Sequence, residues 1–136
     1  MPGYWILKTE PTTYSFDQLA REGTAVWDGV ANPVALKNIG QMRPGDQVLI
    51  YHTGKEKAVV GKAEATSAGY PDPKGGKDPR MLVVNLKAGP RLMKPVGLPA
   101  IKAEPAFTDL ALVRQGRLSV VSATKEQWEL LVRMGA

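Results

Sequence analysis

The 136-residue chain reads as an α+β domain in which short helices flank a curled β-barrel. Three features carry that reading. About five strand-like runs are scattered along the whole chain, the helical runs between them are short and individually capped, and strict βαβ alternation is missing. No strand run leads into a G-x-G-x-x-G turn or a Walker-type loop, so a nucleotide-cofactor fold has no support.

The elements follow in order. "YWILKT" (4–9) alternates bulky residues on two faces and ends before Pro11, a first strand. In "SFDQLARE" (15–22), Ser15 and Gln18 have capping-box spacing, and Gly23 ends the helix. Asn32 followed by Pro33 starts a second short helix, "PVALKNI". Asn is a favoured N-cap, and Pro at the first helical position gives up an N–H that would be unpaired anyway. Pro44-Gly45 makes a turn into a strand that leads through Val48–Tyr51 to His52.

A strand pattern continues over 58–69, where Gly61 marks a bulge or a close backbone approach. "YPDPKGGKDP" (70–79) is an exposed loop by composition. "RMLVVNLKAG" (80–89) is a further strand, 98–112 holds two short helical pieces broken at Pro105, and "RLSVVSA" (117–123) is the last strand. Thr124 and Gln127 repeat the capping box ahead of a helix whose apolar stripe is Trp128, Leu131 and Val132.

Length and composition bound the function. A chain of this size buries roughly two thirds of its unfolded surface and fits one domain, 1–136. Apolar residues make up 43% and charged residues 23%, and no apolar run reaches the ~18–20 residues of a membrane helix, so no membrane partner is expected. No secretory signal pattern is visible before "KTEP", which predicts a cytoplasmic protein, most simply bacterial. The absence of Cys removes thiolate and disulfide chemistry. A single His rules out a multi-His metal centre, so neither metal nor cofactor is expected.

The formal charge of +5 is unevenly spread: residues 74–117 hold nine Lys/Arg against three Asp/Glu. Such an excess suits contact with a phosphate backbone, although a solvated basic face explains it equally well. A nucleophilic pair of Ser119 with His52 lacks the G-x-S-x-G elbow, and the carboxylates Glu10, Asp28 and Asp72 are more simply turn formers or solvated charges. Lys8 is unusual inside a strand. Trp27 precedes a cluster of polar turn residues, where an aromatic wall combines with hydrogen-bonding groups to hold a flat ligand. Trp27, Asn32, His52 and Ser119, together with the basic segment, are the groups a base pocket requires if the fold gathers them.

"YWILKTEP", "TTYSFDQL", "WDGVANPVALKNI", "RPGDQVLIYHTGKEKAVVGKAEA", "YPDP" and "DLALVRQGRLSVVSATKEQW" together resemble the EVE domain, in order and over nearly the whole chain. The resemblance implies a PUA-like barrel, related to YTH and ASCH domains and to the thymocyte nuclear protein. It implies a non-catalytic pocket for a modified base, with modified cytosines in DNA such as 5-methyl- and 5-hydroxymethylcytosine as the class for EVE domains and N6-methyladenine in RNA as the YTH counterpart. Carried over by motif, the pocket residues are Lys8, Glu10, Ser15, Trp27, Asn32, Tyr51, His52, Arg117, Leu118 and Ser119. Partners expected on this basis are nucleic acid and, functionally, a nuclease, with the chain itself a monomer. An accessory enzyme of nucleic-acid metabolism and an RNA-binding or small-ligand-sensing PUA-like module are the alternatives. The chain departs from many family members in having Ala31 where they carry Arg, and its 70–80 loop is short. The resemblance therefore implies no contact from that Arg or from a longer loop in this chain.

Overall fold

The computed structural model describes residues 3–74, 78 and 80–136. Its strands are β1 (Tyr4–Thr9), β2 (Thr24–Trp27), β3 (Gln47–His52), β4 (Ala58–Ala65), β5 (Tyr70–Pro71), β6 (Leu82–Gly97) and β7 (Val120–Ala123). Its α-helices are α1 (Phe16–Glu22), α2 (Pro33–Gln41), α3 (Leu98–Ala103), α4 (Ala111–Arg114) and α5 (Lys125–Met134), with one 3-10 turn at Pro105–Phe107. The α+β class and the two capping boxes are as the sequence predicts. Ser15 and Thr124 each accept the N3 backbone N–H, and Gln18 and Gln127 reach back.

The strands form one mixed sheet in the order β2-β6-β4-β3-β1-β7, with β5 added to β6. Only β1 and β3 run parallel, and the crossover between them contains α1, β2 and α2. The hydrogen-bonded ladder stays open, leaving β2 and β7 as its ends. The sheet is nevertheless curled, because α2 packs against both β6 near one end and β7 at the other. Asn38 on α2 donates to the Val120 carbonyl at 2.8 Å, which occupies a backbone acceptor on the β7 edge. Consistent with cover on both faces, β3 buries Val48, Leu49, Ile50 and Tyr51 in succession.

Two local devices fix the curl. At Gly61 the register of β4 shifts against both β3 and β6, and the Phe16 ring of α1 occupies the space a side chain would need. Asp46, buried before β3, accepts from Gly3 N (2.8 Å), Trp5 Nε1 (2.8 Å) and Arg43 N (3.0 Å), tying the start of β1 to the turn ahead of β3.

Several boundaries differ from expectation for physical reasons. The 80–89 run continues through Pro90 to Gly97, because that proline falls in the irregular stretch where β6 passes the Gly61 bulge. β4 stops at Ala65 instead of 69. β7 begins only at Val120, since Leu118 N turns back to the Gln115 carbonyl at 2.9 Å. β2 is an unpredicted edge strand held by non-local pairing to β6. The expected loop over 70–79 opens with the short strand β5, and its positions 75–77 and 79 lie outside the described residues. Among the described residues, no helix is long and apolar enough to cross a membrane.

Candidate functional site

A cleft of about 690 Å³ opens where the C-terminal end of β1, the segment before α1, and the β2–α2 connection meet. Its aromatic wall is made of two rings. Trp27 ends β2, and the Tyr14 ring meets it edge-on at 6.0 Å and 82°. Trp27 is only 7% exposed, so Tyr14 supplies aromatic surface that Trp27 alone cannot. The turn beyond Trp27 uses Gly29 at φ 76°, a left-handed conformation that favours glycine, and delivers Asp28, Val30 and Ala31 to the cleft margin.

The end of β1 lines the same cleft. Lys8 is half-buried, and its Nζ donates to the Gly116 carbonyl at 2.8 Å and sits 5.7 Å from the Tyr51 ring centroid. Burial lowers the affinity of this amine for its proton. Glu10 accepts from the hydroxyls of Thr12 (3.1 Å) and Thr53 (3.3 Å), and Ser119 faces the cleft while its carbonyl receives the N–H of Lys8 at 2.9 Å.

Of the residues singled out from sequence, the structure brings Lys8, Glu10, Trp27 and Ser119 together as lining. Asn32, Arg117 and Leu118 instead line a neighbouring hollow of about 300 Å³, linked to the cleft through the Lys8–Gly116 hydrogen bond. Ser15, Tyr51 and His52 are outside the lining of both. Ser15 caps α1. Tyr51 is buried beneath Lys8, and that burial pushes its phenol up. His52, 3% exposed, has both ring nitrogens engaged: Nε2 accepts the Phe16 N–H at 3.0 Å, and Nδ1 faces Glu56 Oε1 at 2.7 Å. It is thus occupied as a structural residue and is not poised as a base for Ser119.

Sequence reasoning missed Tyr14 and Glu22, which join across the cleft wall with the Tyr14 hydroxyl donating to a Glu22 carboxylate oxygen. Burial first, then the hydrogen bond and charge of Glu22, push the Tyr14 phenol up to about 12. A signal for Glu22 was present. It is the last residue of α1, where an acid opposes the helix dipole and a cation is the usual choice.

The basic segment is dispersed. Arg91 pairs with Asp17 at 2.9 Å, Arg80 with Asp78 at 3.1 Å and Arg114 with Asp109 at 3.3 Å. Lys74 lines the cleft itself, and Arg117 borders the adjoining hollow.

The chain matches the EVE domain family over residues 3–134. It belongs to the EVE-domain family. Among solved structures, Rpa0253 from Rhodopseudomonas palustris is 40% identical, with a TM-score of 0.91 over 98% of this chain and 92% of that one. A hypothetical protein from Leishmania major is 34% identical, with a TM-score of 0.92 over 99% and 95%. At 20% identity, the human THYN1 protein shares the fold of this EVE domain, with a TM-score of 0.89 over 98% and 97%. That protein was solved in complex with DNA containing 5-methylcytosine. No curated protein matches the chain.

Proposed function

We propose that this EVE domain is a non-catalytic reader of a modified nucleobase, with 5-methyl- or 5-hydroxymethylcytosine in DNA as its first candidate. The observation that carries the reading is a cleft lined together by the Tyr14 and Trp27 rings and by the polar groups of Lys8, Glu10 and Ser119. An extruded base needs a flat apolar wall and polar groups at its edge, and the cleft offers both. The human THYN1 complex with 5-methylcytosine-containing DNA supports the same ligand class for a chain of this fold.

In this reading Tyr14, backed edge-on by the nearly buried Trp27, contributes stacking of roughly 1–3 kcal/mol for one base, and Lys8 takes part at its edge. Lys74 and Arg117 meet phosphates and add affinity that depends on salt but not on sequence. Asn32 and Leu118 serve the adjoining hollow, whereas Ser15, Tyr51 and His52 support the site from behind. The reading extends to a monomer working in the cytoplasm beside a nuclease that performs the chemistry.

The test is tryptophan fluorescence at two salt concentrations with short DNA and RNA oligonucleotides. These carry unmodified cytosine, 5-methylcytosine, 5-hydroxymethylcytosine or N6-methyladenine, with Trp27→Phe and Tyr14→Ala as variants. Preference for one modified oligonucleotide, lost in the variants while their melting stays cooperative, is the expected result. Equal binding of all oligonucleotides, collapsing with salt, would overturn the reading.

A further inference from the structure

The Tyr14–Glu22 pair has no role in recognising a methyl group, which presents neither a donor nor an acceptor. Its hydrogen-bond arithmetic is nonetheless restrictive. Tyr14 has one hydroxyl proton, and it is given to a Glu22 oxygen. The second Glu22 oxygen has no hydrogen-bond partner among the described residues. Next to the Tyr14–Trp27 wall, the pair therefore presents lone pairs only: one from the phenol and those of a free carboxylate oxygen. A ligand edge placed there must donate.

We propose that Glu22, oriented by Tyr14, is the specificity-determining residue that admits a 4-amino pyrimidine and rejects a 4-oxo pyrimidine. The inference rests on the base-reading role of the cleft given above. Cytosine and its 5-substituted forms carry an exocyclic amine that donates, and a carboxylate is its complementary acceptor. Thymine and uracil carry a carbonyl at the same position, which would set acceptor against acceptor and displace, with no hydrogen bond in return, the water that reaches the exposed Glu22 carboxylate in the free protein. The discrimination separates 5-methylcytosine from thymine, its own deamination product, although the two rings share the 5-methyl group and almost the same shape. Stacking on the aromatic wall does not distinguish them, so the choice falls to the edge.

The placement of Glu22 supports this. It ends α1, where a carboxylate gains nothing from the helix dipole, and it forms no ion pair among the described residues. The strongly raised phenol of Tyr14 keeps its proton on oxygen across the physiological range, which preserves the donor-to-Glu22 arrangement.

Single-stranded oligonucleotides identical except for one central residue, cytosine, 5-methylcytosine or thymine, remove the cost of unpairing from the comparison. The wild-type protein should bind the 5-methylcytosine strand roughly 10-fold or more tightly than the thymine strand. Glu22→Gln supplies an amide that also donates, so the ratio should fall toward one while the preference for 5-methylcytosine over cytosine persists. Tyr14→Phe frees the carboxylate to rotate and should reduce the ratio partially; melting curves for both variants establish that they remain folded. An unchanged 5-methylcytosine-to-thymine ratio in Glu22→Gln, with modified-base preference intact, overturns the role of Glu22 alone. Failure of the wild-type protein to prefer any modified strand overturns the base-reading role and this inference with it.

Discussion

His52 Nε2 accepts the backbone N–H of Phe16 at 3.0 Å, which fixes the neutral tautomer with the proton on Nδ1, directed at Glu56. The contact joins the end of β3 to the first residue of α1, and α1 carries Glu22 at its far end. His52→Ala leaves a buried N–H without a partner and should lower stability by about 1–3 kcal/mol. A lower urea midpoint with an unchanged slope would show it. Below the new midpoint, the affinity for a modified oligonucleotide should stay as in the wild type. A selective loss of binding in a fully folded variant would instead show that the His52–Phe16 contact positions α1, and Glu22 with it, for the ligand.

Gly61→Ala tests the bulge. The added carbon would fall inside van der Waals contact with the Phe16 ring, a bulky buried group that cannot swing to solvent. Either Phe16 or the β4 bulge must shift, at about 1–3 kcal/mol. The measurement is thermal melting alongside cleft affinity. Because α1 shifts with Phe16, affinity should fall too, unlike in His52→Ala.

These two residues also show how far local sequence reaches. Ser15–Gln18, Asn32–Pro33 and Thr124–Gln127 announce their helices because a cap is a bond between neighbours in the chain. β2 is silent because four residues, "TAVW", become a strand only through pairing with β6, some sixty positions on. The same distinction divides the site. Trp27 stands out beside its polar turn, whereas Tyr14 sits ahead of a capping serine, where a bulky residue is routinely a hydrophobic staple. His52 is misleading for the converse reason. Its chemistry suggests a site, but its two partners, Phe16 and Glu56, are identifiable only after folding.

Tyr14 should be visible by its titration. Of the four tyrosines, its phenolate signal should emerge near 12, well above the ordinary 10.0. The sign for stability follows. Tyr14 is held neutral in the folded state, so its contribution is complete below pH 10 and is lost as pH rises from about 10 through about 12. Ultraviolet titration of wild type and Glu22→Gln would check it. The variant should ionise earlier, but not at the free value, because burial is the larger cause and persists.

Ala31 is exposed and touches both the main cleft and a further hollow, formed with Pro33, Leu36 and Met81 and the charged Lys37, Asp78 and Arg80. Ala31→Arg places one more cation at the rim where phosphates would pass. Affinity for DNA should rise, and the slope of log affinity against log salt should steepen by roughly 0.7–0.9. The ratio between modified and unmodified strands should hardly move, since a phosphate contact positions without specifying. A salt series on both strands separates the two effects.

Asn32 tests whether the adjoining hollow takes part in binding. Its Oδ1 is committed to two backbone N–H groups, Val34 at 2.9 Å and Ala35 at 3.1 Å, so the oxygen has a helix to cap. Asn32→Ala should cost about 1 kcal/mol of stability with little change in binding. Asn32→Asp is the sharper variant, because aspartate caps as well as asparagine and its charge suits a helix N-terminus. Stability should therefore be kept or slightly raised. The new negative charge stands in the same hollow as Arg117 and repels a phosphate there, so DNA affinity should fall, most clearly at low salt. Measuring both variants by melting and by titration at two salt concentrations separates the cap from the nucleic-acid contact. If Asn32→Asp binds as tightly as the wild type at low salt, no phosphate passes through the hollow, and the backbone path must run along the Lys74 side of the cleft.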